Sequence, residues 1–264
     1  MAEGGNNCNG ECHPIYAAQD GHIKQREQDE SAENERILGS KGQFCAAFYH
    51  VHQWGERKYC CLDETNCIIA KRAVREKNWR VQRKTVVAVV KFEDENGEIL
   101  YVARYKNCAP QKKHAEDFFK EDIENEDGVL AEIVQDNPNG TITMYLTLQP
   151  CNRSTGKTEN TKPDQSCCDI LKTIVRQILR NNGRNINLCI KATNTTRLSQ
   201  IEQDRTLRQN AERGIKQLMR IEGVNVSGMT PEDWDYLFSM TEYIPPRRDL
   251  DRDIQSIFER IHTN

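Results

Sequence analysis

The sequence predicts an α/β fold, a three-layer α-β-α arrangement in which helices cover both faces of one mixed five-stranded sheet. Two observations favour this class. Between residues 85 and 240, segments rich in β-branched apolar residues alternate with segments whose apolar residues recur at helical spacing. The first two strands are joined by Asn96-Gly97, a hairpin turn that makes them antiparallel, whereas helices separate the later strands. The sheet is therefore expected to be mixed.

Five strands are expected, and each has a local signal. The first is dominated by valine, and a polar turn at residues 136–140 precedes the third. The predicted strands are residues 85–92, 99–104, 141–148, 186–192 and 224–226.

The helices follow from apolar spacing and from start signals. Ile170, Ile174 and Ile178 recur every four residues, as on the buried face of an amphipathic helix. Thr230 followed by Pro231 is typical of a helix N-terminus. The other predicted helices are residues 44–51, 114–123, 203–221 and, at the C-terminus, about 249–262.

Charge divides the chain into an acidic tail and one domain. Residues 1–39 contain eight acidic and three basic residues, a net charge of −5, and the other 225 residues contain 34 basic and 32 acidic residues, a net charge of +2. We expect residues 1–39 to be a flexible tail and residues 40–264 to form a single domain with its core at about 84–240. A basic run at 71–84 is consistent either with a solvated helix face or with a polyanion-binding stripe.

Composition excludes several classes of protein. With 37% hydrophobic residues, the chain is too apolar to be wholly disordered, and no apolar run is long enough to span a membrane. The N-terminus lacks the features of a signal peptide, so we expect a cytoplasmic or nuclear protein that is not secreted. Eleven cysteines argue against a closed disulfide framework and favour reduced thiols. Cys8, Cys12 and His13 have no matching second pair, and we attribute their spacing to chance.

Two short motifs point to metal chemistry. His114-Ala115-Glu116 opens one predicted helix, and Pro150-Cys151 precedes a second helix that begins near Cys167-Cys168. Together they offer one imidazole and two thiolates and leave a fourth tetrahedral position for water. Glu116 is too close to His114 in sequence to be a fourth ligand but near enough to transfer protons. This combination matches the zinc-deaminase signature H-x-E followed by P-C-x(n)-C.

The identity of the second thiolate ligand depends on the register of its helix. Counted from Cys167, apolar residues fall at +4, +7 and +8, whereas counting from Cys168 places a lysine at +4. Cys167 is therefore the preferred ligand and Cys168 the alternative. A closed zinc site that includes both cysteines and only joins two helices is the structural alternative.

From about residue 84 to 240 the chain resembles the AID/APOBEC branch of the zinc deaminases. The order of predicted elements around the two motifs is the same. The similarity extends to residues 136–138, 187–192, 223–226 and 233–236. The chain departs from the family in its Thr147-Leu148-Gln149 before Pro150, in the fifteen residues between Cys151 and Cys167, and in the absence of aromatic residues from 193–197.

The resemblance implies hydrolytic deamination of cytosine to uracil in single-stranded DNA or RNA. One Zn²⁺ per chain would be held by His114, Cys151 and Cys167, with Glu116 as the catalytic proton carrier. The implied substrate-binding residues are Asn107, Ala115, Arg104, Lys106, Thr147, Leu148, Thr193, Asn194 and Arg197. Alternatives are a deaminase of free cytidine nucleosides or nucleotides, a deaminase of adenosine in RNA, and a silent RNA- or protein-binding module. No membrane partner is expected, and the oligomeric state is left open.

Overall fold

The computed structural model describes residues 15–16, 48, 86–108, 110–153, 161–195, 197–198, 204–240 and 250–263. The strands in these ranges are β1 Ile15–Tyr16, β2 Val87–Glu93, β3 Ile99–Lys106, β4 Asn139–Leu146, β5 Asn185–Ala192 and β6 Val224–Gly228. The helices are α1 Ala115–Glu124, α2 Val129–Asp136, α3 Cys167–Ile174, α4 Arg205–Met219, α5 Pro231–Ser239 and α6 Leu250–Thr263, and α3 continues as a π-helical turn over Val175–Leu179.

The strands form one mixed sheet in the order β1-β3-β2-β4-β5-β6. The hairpin β2–β3 and the pair β2–β4 are antiparallel, whereas β4–β5 and β5–β6 are parallel. The parallel pairs are joined through helices, as a parallel connection requires. The predicted five strands are thus present, and the two-residue strand β1 pairs beside β3 at the sheet edge.

Alternate residues of the central strand β2 point to opposite faces of the sheet, and both faces are covered. Ala88, Val90 and Phe92 belong to the main core with helices α1–α4 and α6. Val87 and Val89 belong to a second core, in which Trp234 of α5 is almost fully buried. This burial on both sides, with period two along the strand, confirms the predicted three-layer α-β-α fold.

The register of the sheet places the C-terminal ends of β3, β4 and β5 on the same side of the sheet. Lys106 at the end of β3 pairs with Val87 at the start of β2, and Ala88 pairs with Leu146 at the end of β4. Leu146 in turn pairs with Ala192 at the end of β5. The segments that follow β3, β4 and β5 therefore leave the sheet at the same edge, where open α/β sheets bind their ligands.

The structure corrects three details around the third predicted strand. Residues 129–136 form helix α2, which the sequence analysis missed, and its Leu130 and Val134 are buried. Asn139 and Gly140, predicted as part of a turn, belong to β4 because they pair with the first residues of β5. Strand β4 also ends two residues earlier than predicted, since the chain turns at Thr147 towards Cys151.

Three expectations fall largely outside the described residues. Most of the predicted tail at 1–39 does, as do the basic run at 71–84 and all of the predicted helix 44–51 except Phe48, which is buried in the second core. The expectation of reduced thiols does not hold for Cys108, which is disulfide-bonded. Cys151, Cys167, Cys168 and Cys189 are free. In the described part of the chain, every helix is too short or too polar to cross a bilayer.

Candidate metal centre

Three predicted ligands converge beyond the C-terminal ends of β3 and β4. His114 is the N-cap of α1, directly after the loop that leaves β3. Cys151 follows β4, and Cys167 is the first residue of α3. Because two of these residues lie at helix N-termini, the helix dipoles favour negative charge on the ligands and on groups bound between them.

The ligand atoms form a compact triangle. His114 Nδ1 lies 3.1 Å from Cys167 Sγ and 3.6 Å from Cys151 Sγ, and the two sulfurs are 3.4 Å apart. Tetrahedral zinc, with bonds of about 2.3 Å to sulfur and about 2.0–2.1 Å to nitrogen, separates two sulfurs by about 3.8 Å and a sulfur from a nitrogen by about 3.5 Å. The observed separations lie within about 0.4 Å of these values. The group can therefore hold a metal ion.

Cys168, the alternative ligand, does not belong to this group. Its Sγ contacts the carbonyl oxygen of Pro150 at 3.8 Å, and it lies against Gly214 of α4. Among the described residues, only His114, Cys151 and Cys167 form a cluster of histidine, cysteine or acidic side chains with metal-ligand spacing. This geometry favours the three-ligand arrangement over the four-ligand alternative.

Backbone hydrogen bonds hold Cys151 next to the start of α3. Its Sγ accepts a hydrogen bond from the backbone N–H of Cys167 at 3.5 Å, and its carbonyl accepts one from the N–H of Cys168 at 3.0 Å. Ser166 is the N-cap of helix α3, and its hydroxyl accepts a hydrogen bond from the N–H of Asp169. The position of both thiols is therefore set by the start of one helix.

The thiols and the imidazole influence one another electrostatically. A hydrogen bond from Cys167 lowers the pKa of Cys151 to about 5, against the effect of burial, and His114 contributes in the same direction. Burial raises the pKa of the Cys167 thiol well above its ordinary value. Burial opposes protonation of His114, but its hydrogen bond to Cys151 and the negative charges around it raise its pKa to about 9. Without metal the three groups therefore share protons, which a bound cation would displace.

Glu116 lies in the first turn of α1, two residues beyond His114. Its side chain is 2% exposed, and its Oε2 has no hydrogen-bond partner. Burial raises the pKa of this carboxyl to about 7, although the charge on His114 acts in the opposite direction. The carboxylate shares a hydrogen bond with the Cys167 thiol, but a buried carboxylate oxygen that lacks a partner among the described residues is costly, and such groups cluster at functional sites.

The residues predicted to contact substrate on the β3 side differ in exposure. Lys106 is exposed, and Arg104 is half-buried, with its pKa lowered by burial. The side-chain oxygen of Asn107 accepts a hydrogen bond from the N–H of Val86 at 2.8 Å and so joins β3 to the chain entering β2. Ala115 is buried in the main core. The structure gives Asn107 and Ala115 structural contacts at the edge where the metal ligands lie.

The other predicted substrate residues follow β4 and β5. Thr147 is buried, and its hydroxyl accepts a hydrogen bond from the N–H of Val87 at 3.0 Å. Thr193 is buried as well, and its hydroxyl donates to the carbonyl of Thr147 at 3.4 Å. Leu148, Asn194 and Arg197 are half-buried. These contacts connect the two loops, and the backbone N–H of Gln149 adds a further bond to the Asn194 carbonyl at 2.9 Å.

Sequence reasoning did not identify two residues that support the ligands. Asp117 accepts a hydrogen bond from the backbone N–H of His114 at 2.7 Å, and Gln165 donates from its side chain to the same carboxylate at 2.8 Å. Asp117 had a detectable signal, since an acidic residue three positions after a helix N-cap is typical of a capping box. Gln165 had none, because a glutamine at the end of a polar loop looks like a solvated residue.

The fold and this site define an α/β protein with a buried His-Cys-Cys group able to hold a metal ion. In comparisons with known proteins, the chain matches no protein-family model, and no curated protein is significantly similar to it.

Proposed function

We propose that the protein is a zinc-dependent deaminase of the AID/APOBEC type that converts cytosine to uracil in single-stranded DNA or RNA. The observation that supports this most directly is the position of Glu116. A buried carboxylate with an unpartnered oxygen lies two residues from one of three converging ligands. A metal site that only stabilised the fold would need no such carboxylate.

His114, Cys151 and Cys167 would hold the zinc ion, as their donor atoms and spacing suit tetrahedral coordination with one open position. When bound, zinc acts as a Lewis acid that lowers the pKa of a coordinated water from ~15.7 to ~7. The two cysteines also give the site its preference for zinc over magnesium or calcium, which bind oxygen ligands.

Glu116 is the proposed proton carrier. Its carboxylate accepts a proton from the attacking water and donates it to ring N3 of cytosine while the new C4–O bond forms. In the second half of the reaction Glu116 takes the remaining proton from the C4 hydroxyl and donates it to the exocyclic amine, and ammonia leaves as the C4–N bond breaks and the C4=O bond forms. The net reaction consumes one water and releases one ammonia per uracil formed.

Exposed basic side chains on the segments that lead to the ligands support a polyanionic substrate. Lys106 and Lys112 precede His114, and Arg153 and Lys162 lie in the segment between the two cysteines. An unpaired base of a single strand can enter a buried site while such cations contact its phosphates.

The deciding experiment incubates the purified full-length protein, loaded with one equivalent of zinc, with single strands that contain either cytosine or adenine. Mass spectrometry would detect a gain of about one mass unit per deaminated base, because an NH group is replaced by oxygen. Parallel reactions with free cytidine and deoxycytidine monophosphate test the free-nucleotide alternative. Glu116→Gln is the matched control, since it removes the proton carrier and keeps every ligand.

Conversion of cytosine in strands but not in free nucleotides would support the proposal. Conversion only of free nucleotides, or only of adenine, would replace the substrate assignment with one of the alternatives. Binding of strands without conversion of any base would favour a silent binding module. A steep loss of strand affinity with salt separates phosphate contacts from recognition of a free nucleotide.

A further inference from the structure

The polar segment between Cys151 and Cys167 is closed at its base by Gln165. The carbonyl of Gln165 accepts a hydrogen bond from the backbone N–H of Arg153 at 2.8 Å, and its own N–H donates to the carbonyl of Lys162 at 3.3 Å. Residues 152–166 are almost wholly polar, a composition that predicts a solvent-exposed loop. Gln165, however, is only 6% exposed. Its burial arises because the loop returns to the metal ligands, where both its backbone and its side chain find partners.

The side chain of Gln165 contacts the helix that carries His114. Its Nε2 donates to Asp117 Oδ2 at 2.8 Å, and the same oxygen accepts the backbone N–H of His114 at 2.7 Å. One carboxylate oxygen thus joins the loop to the residue that offers the imidazole. Hydrogen bonds to a carboxylate are charge-assisted and directional, so this link restricts the position of the α1 N-terminus.

The backbone of Gln165 contacts the second ligand. Its carbonyl oxygen lies 3.7 Å from Cys151 Sγ. The same carbonyl accepts from Arg153, two residues beyond Cys151. A single residue therefore contacts the elements that carry His114 and Cys151, and the third ligand, Cys167, follows it by two positions.

We propose that Gln165 is a positioning residue of the metal centre, which sets the separation of His114 and Cys151 through Asp117 and through the backbone hydrogen bond that its carbonyl accepts from Arg153. The inference rests on the metal site of the proposed function, but it does not depend on the reaction or the substrate. Residues that orient metal ligands through hydrogen bonds typically change metal affinity by about 10–100-fold when they are replaced.

Two variants of the full chain test this role. Gln165→Leu removes the amide but keeps a similar volume. Gln165→Glu replaces the donor with a second carboxylate that faces Asp117. The matched control is Gln177→Leu, an exposed glutamine in the π-helical turn that continues α3.

The measurements are zinc affinity, from competition with a chromogenic chelator, and the absorption spectrum of the cobalt-substituted protein, which reports ligand geometry. We expect Gln165→Leu and Gln165→Glu to lose about 10–100-fold in zinc affinity and to change the cobalt spectrum, with the far-ultraviolet circular dichroism unchanged. Gln177→Leu should match the wild type.

Wild-type affinity and spectra in the folded single variants would overturn the proposal. If Gln165→Leu failed to fold, wild-type zinc affinity and cobalt spectra in Gln165→Glu would overturn the proposal. A wild-type protein that binds no zinc would overturn this proposal together with the metal site. Zinc binding with the expected losses, but without deamination of any base, would contradict only the proposed reaction.

Discussion

Helix α1 carries two buried carboxylates in opposite circumstances. Asp122 Oδ2 accepts hydrogen bonds from the hydroxyls of Tyr101 and Tyr105 of β3, each at 2.5 Å, and the two hydroxyls are 2.7 Å apart. Glu116, six residues earlier, is more deeply buried, yet its Oε2 has no partner. The same helix therefore buries one carboxylate that accepts two tyrosine hydroxyls and one carboxylate with an oxygen that lacks a partner among the described residues.

The two carboxylates suit different roles. Hydrogen bonds from Tyr101 and Tyr105 compensate for the burial of Asp122 and hold α1 against the sheet. Glu116 shares a hydrogen bond with the Cys167 thiol, but its Oε2 lacks a partner among the described residues, and it lies at the helix end where the candidate ligands meet. We therefore expect replacement of Asp122 to affect stability, and replacement of Glu116 to affect chemistry.

The largest expected effect is the loss of turnover in Glu116→Gln. The amide cannot carry a proton, and general acid–base groups typically contribute about 10²–10⁴-fold to a rate. Zinc content should stay at one equivalent because no ligand is changed. Product formation by mass spectrometry and metal analysis of the same sample provide the test, and near-normal activity with full zinc would remove Glu116 from the mechanism.

Separate replacement of Cys167 and Cys168 tests which of the two thiols belongs to the metal site. Cys167→Ala should lose stoichiometric zinc, since it removes one corner of the ligand triangle. Cys168→Ala should retain zinc because its thiol faces Pro150 and Gly214. Metal content after dialysis measures both, and equal loss in the two variants would support a four-ligand structural site.

Asp122→Ala should produce the converse of Glu116→Gln. It removes the acceptor shared by two buried hydroxyls, and an unsatisfied buried group costs about 1–3 kcal/mol. Urea unfolding should show this loss in the free energy of unfolding, whereas zinc binding at temperatures well below unfolding should persist. Asp127→Ala, at an exposed position just beyond α1, is the control and should be close to neutral. An unchanged free energy of unfolding in Asp122→Ala would contradict the comparison.

The smallest effect is expected for the loop between Arg153 and Gln165. Replacing the residues between them with two glycines keeps the backbone bond that closes the loop, and loop-closure entropy depends only weakly on length. The variant should fold and bind zinc as the wild type does. Its strand affinity should fall, with a flatter salt dependence, only if Lys157 or Lys162 contacts the substrate. Loss of zinc would show that the loop itself builds the site.

The prediction from sequence worked best where the signal was local. The valine-rich strand, the Asn96-Gly97 hairpin and the Thr230-Pro231 helix start are all present, because each depends on neighbouring residues. Helix α2 was missed although Val129, Leu130, Ile133 and Val134 have helical spacing, since the turn signal that follows it masked an eight-residue element. The bounds of β4 were displaced because its first residues are held by pairing with β5.

The sequence alone determined the types of ligand, their order along the chain and the acidic residue beside His114. These features depend only on residue identity and on spacing along the chain. Tertiary structure decided which adjacent cysteine faces the site, since neighbouring helical residues point about 100° apart and only docking of the helix selects one direction. It also decided that Gln165 is buried beside Asp117 and that Asp122 finds two tyrosines. Those partners are distant in sequence, and only the packing of α1 against the sheet and the second cysteine segment brings them within hydrogen-bonding distance.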